Sequence, residues 1–162
     1  MVCVDGDWNY VIAVLYAIFD RDIKTSRLRF GGRPVWYDRR IIPPEKHEEG
    51  FWHLTSRDEL VYDRKQQRNV KTRVFDPRRS ERLPWCKPTI ENSGDPSVLV
   101  WDFEEAYGQV RTYVWLRELD YVVVLERQVK RLGTIFMIIT AFFVDSKAKK
   151  RDLESRYANK QS

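Results

Sequence analysis

Between Ser97 and Val144 the chain repeats one pattern: a short run rich in β-branched and aromatic residues, then a break of hairpin length. The runs are Ser97–Phe103, Val110–Leu116, Tyr121–Leu125 and Thr134–Val144, separated by Glu105–Gln109, Arg117–Asp120 and Glu126–Gly133. Such runs predict a roughly four-stranded antiparallel sheet. Within Val110–Leu116, alternation puts Val110, Thr112, Val114 and Leu116 on one face and Arg111, Tyr113 and Trp115 on the other. No helix-length segment separates these strands, which argues against a parallel βαβ sheet. No glycine-rich phosphate loop is present either.

Helices flank this block. Asp7 is placed to cap a helix over about Trp8–Asp22, whose apolar positions Val11, Val14, Leu15, Ile18 and Phe19 fall on one face. Gly31, Gly32 and Pro34 break the chain, Pro34–Ile42 reads as an edge strand, and Pro43–Pro44 ends it. In Phe51–Ser56, Trp52 and Leu54 alternate with His53 and Thr55, which predicts a short strand with His53 and Thr55 on one face. Asp58–Val74 is polar and charged and reads as a loop. Asp76 before Pro77 is a helix start, and the helix after it carries Arg78, Arg79 and Arg82 until Pro84 limits it. A short turn is expected over Pro88–Asn92, and Asp145–Asn159 closes the chain as a basic helix with Leu153 and Tyr157 four apart. The fold class is therefore α+β: an N-terminal and a mid-chain helix on the sheet, then a basic C-terminal helix. The 162 residues suit a single domain, with 1–49 a helical and extended entry and 50–157 the core.

Several classes are disfavoured. No apolar run approaches the roughly 18 residues needed to span a bilayer, so no membrane role is expected. Met1–Tyr10 carries Asp5 and Asp7 and no basic residue, unlike an export signal; the expected location is the cytoplasm. Cys3 and Cys86 are far apart, and with only His47 and His53 beside them no zinc spacing arises. No metal or other cofactor is expected. The net charge of +5 suits a polyanionic partner. It is concentrated: Arg64–Arg82 holds eight Lys/Arg against Asp76 and Glu81, and Lys147–Arg156 is also basic. Each run reads either as a solvated face or as a nucleic-acid contact.

Metal-free RNA cleavage needs a group to take the 2′-hydroxyl proton, a proton for the departing 5′-oxygen, and cationic donors on the phosphate. Histidine suits proton transfer near neutrality and arginine suits phosphate. His53 is the candidate, while His47, in a charged loop, reads as solvated. Arg78, Arg79 and Arg82 lie on neighbouring helical positions. Arg111 lies beside Tyr113 and Trp115, which either stack bases or belong to the core. Thr140 is a hydroxyl in an otherwise apolar run and is either functional or bonded to backbone.

The segments Gly50–Thr55, Phe75–Trp85 with Ile90-Glu91-Asn92, Arg111–Leu116, Tyr121–Glu126 and Ile139–Phe142 running into Lys149–Leu153 resemble the phage-associated nuclease domains grouped with barnase, EndoU, colicin-type and RelE toxins, the BECR fold. The C-terminal end is similar to BrnT-like toxins. The resemblance spans roughly Gly50–Tyr157. It implies a toxin-type endoribonuclease that leaves a cyclic phosphate, or an inactive RNA- or protein-binding module of that fold. By resemblance, His53 transfers protons, Arg79 and Arg82 contact phosphate, Arg111 faces the site from the sheet and Thr140 supplies a hydroxyl. Arg57, Arg78, Tyr113, Lys149 and Lys150 are the expected RNA contacts. The implied partners are RNA and a small acidic antitoxin or immunity protein.

Overall fold

Asp7 begins the first helix as its position predicts: its Oδ1 accepts the Tyr10 amide at 3.0 Å. In the computed structural model, which describes residues 1–160, helix α1 spans Trp8–Phe19. It does not run on regularly to Asp22; a π-helical turn, Asp20–Lys24, follows. Gly31 and Gly32 both take positive φ, 54° and 76°, which closes a two-residue hairpin between β1 (Arg29–Phe30) and β2 (Arg33–Trp36). The edge strand expected over Pro34–Ile42 is thus shorter and earlier.

The segment expected as a strand over residues 51–56 is a helix, α2 (Glu49–Thr55). Phe51, Leu54 and Thr55 are all buried, at i, i+3 and i+4. Trp52 is buried as well, so the apolar residues also alternate, and that alternation mimics a strand. The polar loop expected over Asp58–Val74 is an antiparallel hairpin, β3 (Ser56–Asp63) and β4 (Arg68–Phe75), forming its own two-stranded sheet. Asp76 caps α3 (Pro77–Glu81) by accepting the Arg79 amide at 3.1 Å, and α4 (Cys86–Glu91) follows.

The meander consists of β5 (Val98–Glu104), β6 (Val110–Leu116), β7 (Tyr121–Lys130) and β8 (Gly133–Phe143), and α5 (Lys147–Ala158) ends the fold. The class is mixed α+β, but the sheet has six strands rather than four. Its order is β1-β2-β8-β7-β6-β5, and β2 lies parallel to β8. Residues before Gly50 therefore build part of the sheet and the core.

The sheet is covered on both faces. Val114, Tyr121, Val123, Leu125 and Ile138 pack with Val11, Leu15 and Phe19 of α1, Phe51 and Leu54 of α2, and Ile90 of α4. Leu15 and Phe19 are fully buried, each contributing about 1.5–3 kcal/mol. Trp101, Tyr113, Trp115, Val122 and Val124 pack with Leu153 of α5 on the opposite side. The alternation of β6 therefore holds, and Trp115 belongs to the core. Among the described residues no helix is long and apolar enough to cross a membrane.

β2 leaves β8 after the pair Trp36↔Met137. Past that point α2 and α3 lie against β8 instead of a strand. This ledge positions the candidate site.

Candidate functional site

One knot of hydrogen bonds joins α2, β3, α3 and β8. Arg79 Nη1 donates to the His53 carbonyl at 3.1 Å, the Ser56 carbonyl at 2.6 Å and Thr140 Oγ1 at 2.9 Å. The Thr140 hydroxyl donates in turn to the His53 carbonyl at 3.1 Å. The side chain of Arg79 is only 15% exposed, and burial lowers its pKa from the usual arginine value. Nη2 has no hydrogen-bond partner among the described residues, and Arg79 lines a cleft. Sequence reasoning placed Arg79, Thr140 and His53 in one site. They do meet, but through the backbone of His53 rather than its ring.

Two clefts flank this knot. The smaller, about 470 Å³, is lined by Trp36, Asp38, Arg39, Arg40, His53, Gln128 and Ile139. Backbone bonds from Glu49 N to Arg40 O (2.8 Å) and Gly50 N to Asp38 O (2.9 Å) clamp the start of α2 to its wall. Gly50 permits that approach: a Cβ there would lie 3.1 Å from Asp38 O and from Tyr37 carbons.

The His53 side chain is 35% exposed, and Nε2 stands 3.6 Å from Glu49 Oε2. Nδ1 is buried without a hydrogen-bond partner among the described residues. Burial pushes the imidazole pKa below its ordinary value, while Glu49 and Asp38 pull it back up. Glu49 is held by Arg73, whose Nη1 lies 3.3 Å from Oε1 and whose Nη2 bonds Oε2. Arg40 pairs with Asp38, whereas Arg39 is exposed, stacks over Tyr37 at 5.4 Å and has no ion pair among the described residues. An imidazole with a lowered pKa and an uncommitted guanidinium lining one cleft can accept a proton and hold a phosphate.

The larger cleft, about 740 Å³, is lined by Arg57, Arg78, Arg79, Lys149 and Arg156 with Asp76, Asp145 and Asp152, and by Tyr113, Phe142 and Phe143 among its nonpolar walls. Arg57 is bound to Glu59 and Asp76, and Lys149 to Asp145. Arg78 is exposed, packs over Phe143 at 5.8 Å and has no carboxylate partner among the described residues.

Other expected site residues lie elsewhere. Arg82 sits 3.9 Å over the Phe143 ring and bonds the Arg78 carbonyl and Glu81, a packing role. Arg111 pairs with Glu126 at 2.5 Å and lines neither cleft. The expectation that Tyr113 offers its ring to a base does not hold: the ring is buried, stacked on Trp101 at 5.2 Å, with its hydroxyl between Glu105 and Arg156. Lys150 pairs with Asp120, outside both clefts. His47, expected in solvent, stacks on Tyr16 at 4.1 Å.

Sequence reasoning missed Glu49 and Arg39. Glu49 precedes His53 by four residues, so the two become neighbours only once the segment is read as a helix. Arg39 carried no local signal. Compared with protein-family models, curated proteins and solved structures, the chain matches none.

Proposed function

We propose that the protein cleaves single-stranded RNA without a metal, with the chemistry at His53 and the flanking phosphates held in the larger cleft. The observation that carries this reading is the arrangement along β8. Ile139 lines the histidine cleft and Phe142 the basic one, three residues apart, or about 10 Å on a strand. One nucleotide chain laid over the ledge spans both.

In this reading His53 Nε2 accepts the 2′-hydroxyl proton, the 2′-oxygen attacks phosphorus, and the P–O5′ bond breaks. The proton returns from the imidazolium to the 5′-oxygen, leaving a 2′,3′-cyclic phosphate. Arg39 on one side and Arg78 with Arg79 Nη2 on the other supply cationic donors. Purified protein with total RNA and EDTA should give cyclic-phosphate ends, and His53→Ala should abolish them.

A second reading, an RNA-binding module without catalysis, is favoured by one observation. His53 is the only histidine lining that cleft, and Glu49 and Asp38 beside it are both committed to arginines. Salt-sensitive RNA binding with no cleavage products, unchanged by His53→Ala, would select it.

A further inference from the structure

The distal half of the β3–β4 hairpin takes no part in that chemistry, yet it holds much of the chain's basic run. At its turn the Asp63 carboxylate accepts the Lys65 amide at 2.8 Å and the Gln66 amide at 3.3 Å, and Gln67 adopts a φ of 51°. The one acidic side chain at the tip is therefore bonded by two backbone amides and, through Oδ2, by Gln66 Nε2 at 3.2 Å, and it pairs with no cation among the described residues. Arg64 and Lys65 have no carboxylate partner among the described residues, and Arg68 bonds only Gln66 Oε1, at 2.9 Å. Leu60 is 73% exposed and Tyr62 59%, two apart on the same face. At its base the hairpin is held by α2 and α3, by Arg73 on Glu49 and by Phe75 against Trp8 at 5.0 Å. Eight residues per strand reach about 26 Å. The base is continuous with the site, because Arg57 of β3 lines the larger cleft.

We propose that this hairpin is an arm that holds single-stranded RNA beyond the clefts, with Arg64, Lys65 and Arg68 on phosphates and Tyr62 stacked on an unpaired base. It rests on the RNA reading above. The unpaired tip cations favour a polyanion over a protein strand, which would bond the hairpin edge and ignore the tip charges. The exposed ring favours a single strand, since a duplex keeps its base faces stacked.

The test uses the full chain carrying His53→Ala, so that RNA is not consumed. Binding of fluorescein-labelled RNA of about 20 nucleotides, long enough to cover at least one binding site of the usual size, is followed by anisotropy over a salt series. The triple change Arg64→Gln, Lys65→Gln, Arg68→Gln should weaken binding about tenfold or more. It should also flatten the log–log salt slope by about 2, near 0.7 per lost phosphate contact. Tyr62→Ala should weaken binding by at least about fivefold. A dinucleotide, which cannot join the clefts to a tip about 26 Å away, should show none of the loss that the triple change causes in the 20-mer. The arm is overturned if the triple variant, with an unchanged thermal midpoint, keeps affinity and slope, or if a matching duplex binds as tightly as the single strand. Cleavage by the unmodified chain with arm-independent binding sinks the arm alone. Arm-dependent binding without cleavage sinks the nuclease reading alone. No RNA binding by any variant sinks both.

Discussion

Replacing Arg79 with Met keeps the length of the side chain and removes its hydrogen-bond donors. The Ser56 and His53 carbonyls then lose Arg79 Nη1, although the His53 carbonyl keeps the Thr140 hydroxyl at 3.1 Å. An unsatisfied buried polar group costs about 1–3 kcal/mol, and each remaining bond lost about 1 kcal/mol. Two losses beyond the orphaned Ser56 carbonyl, offset by relief from burying a guanidinium, give about 2–4 kcal/mol of destabilisation. At about 2–4 °C per kcal/mol for a chain of this size, the thermal midpoint falls by roughly 4–16 °C. Thr140→Val removes the hydroxyl and costs about 1–2 kcal/mol. The double variant should fall short of additivity by about 0.5–3 kcal/mol, because both changes break one network. Urea denaturation of the four chains measures this cycle. Destabilisation by Arg79→Met of less than about 0.5 kcal/mol, or strict additivity, would refute the claim that Arg79 and Thr140 hold α2, β3 and β8 together as one network. Loss of cleavage in Arg79→Met therefore counts as chemistry only when measured at a temperature where the variant is folded.

Five further outcomes are expected. The folded-state pKa of His53 lies below the ordinary 6.5, so the unfolded chain binds the proton first as pH falls, and stability is lost on acidification below about 6.5. For the same reason the acid-side midpoint of the proposed cleavage, which uses the neutral ring as base, should lie below 6.5; a pH–rate midpoint at or above 6.5 would contradict this. Arg82→Ala should cost about 1–3 kcal/mol, because the guanidinium lies on Phe143 and caps backbone, with the rate of the folded variant unchanged. Arg111→Gln should leave cleavage within about twofold and stability within about 1 kcal/mol, since its partner Glu126 is partly exposed and both lie off the clefts. Gly50→Ala should force α2 away from Tyr37 and Asp38, costing about 1–3 kcal/mol, and lower cleavage by displacing Arg39 relative to His53.

What the sequence disclosed depended on whether a segment has one buried face. The β6 run alternates because both sheet faces bury their own set, and its bounds were readable to the residue. The caps Asp7 and Asp76 were readable because a side chain closing on its own helix is a local event. The β3–β4 hairpin was hidden by the same physics: exposed on both faces for most of its length, it carries charges at most positions, and these masked the alternation of Val70, Thr72 and Val74 and the pair Leu60 and Tyr62. α2 failed in the opposite way. It is buried on nearly every side, so its apolar residues satisfy periods of 2 and 3.6 together. That ambiguity bears directly on function. As a strand, the segment would set His53 beside Thr55 and leave Glu49 outside. As a helix, it sets Nε2 beside the Glu49 carboxylate and turns the His53 carbonyl toward Arg79 and Thr140. The residue types chosen for the site were therefore brought near one another by a geometry the sequence reading did not contain. The imidazole faces one cleft and the guanidinium of Arg79 the other, so a substrate that engages both must cross β8. A ligand confined to either cleft, such as a mononucleotide, should accordingly bind far more weakly than a strand of several nucleotides.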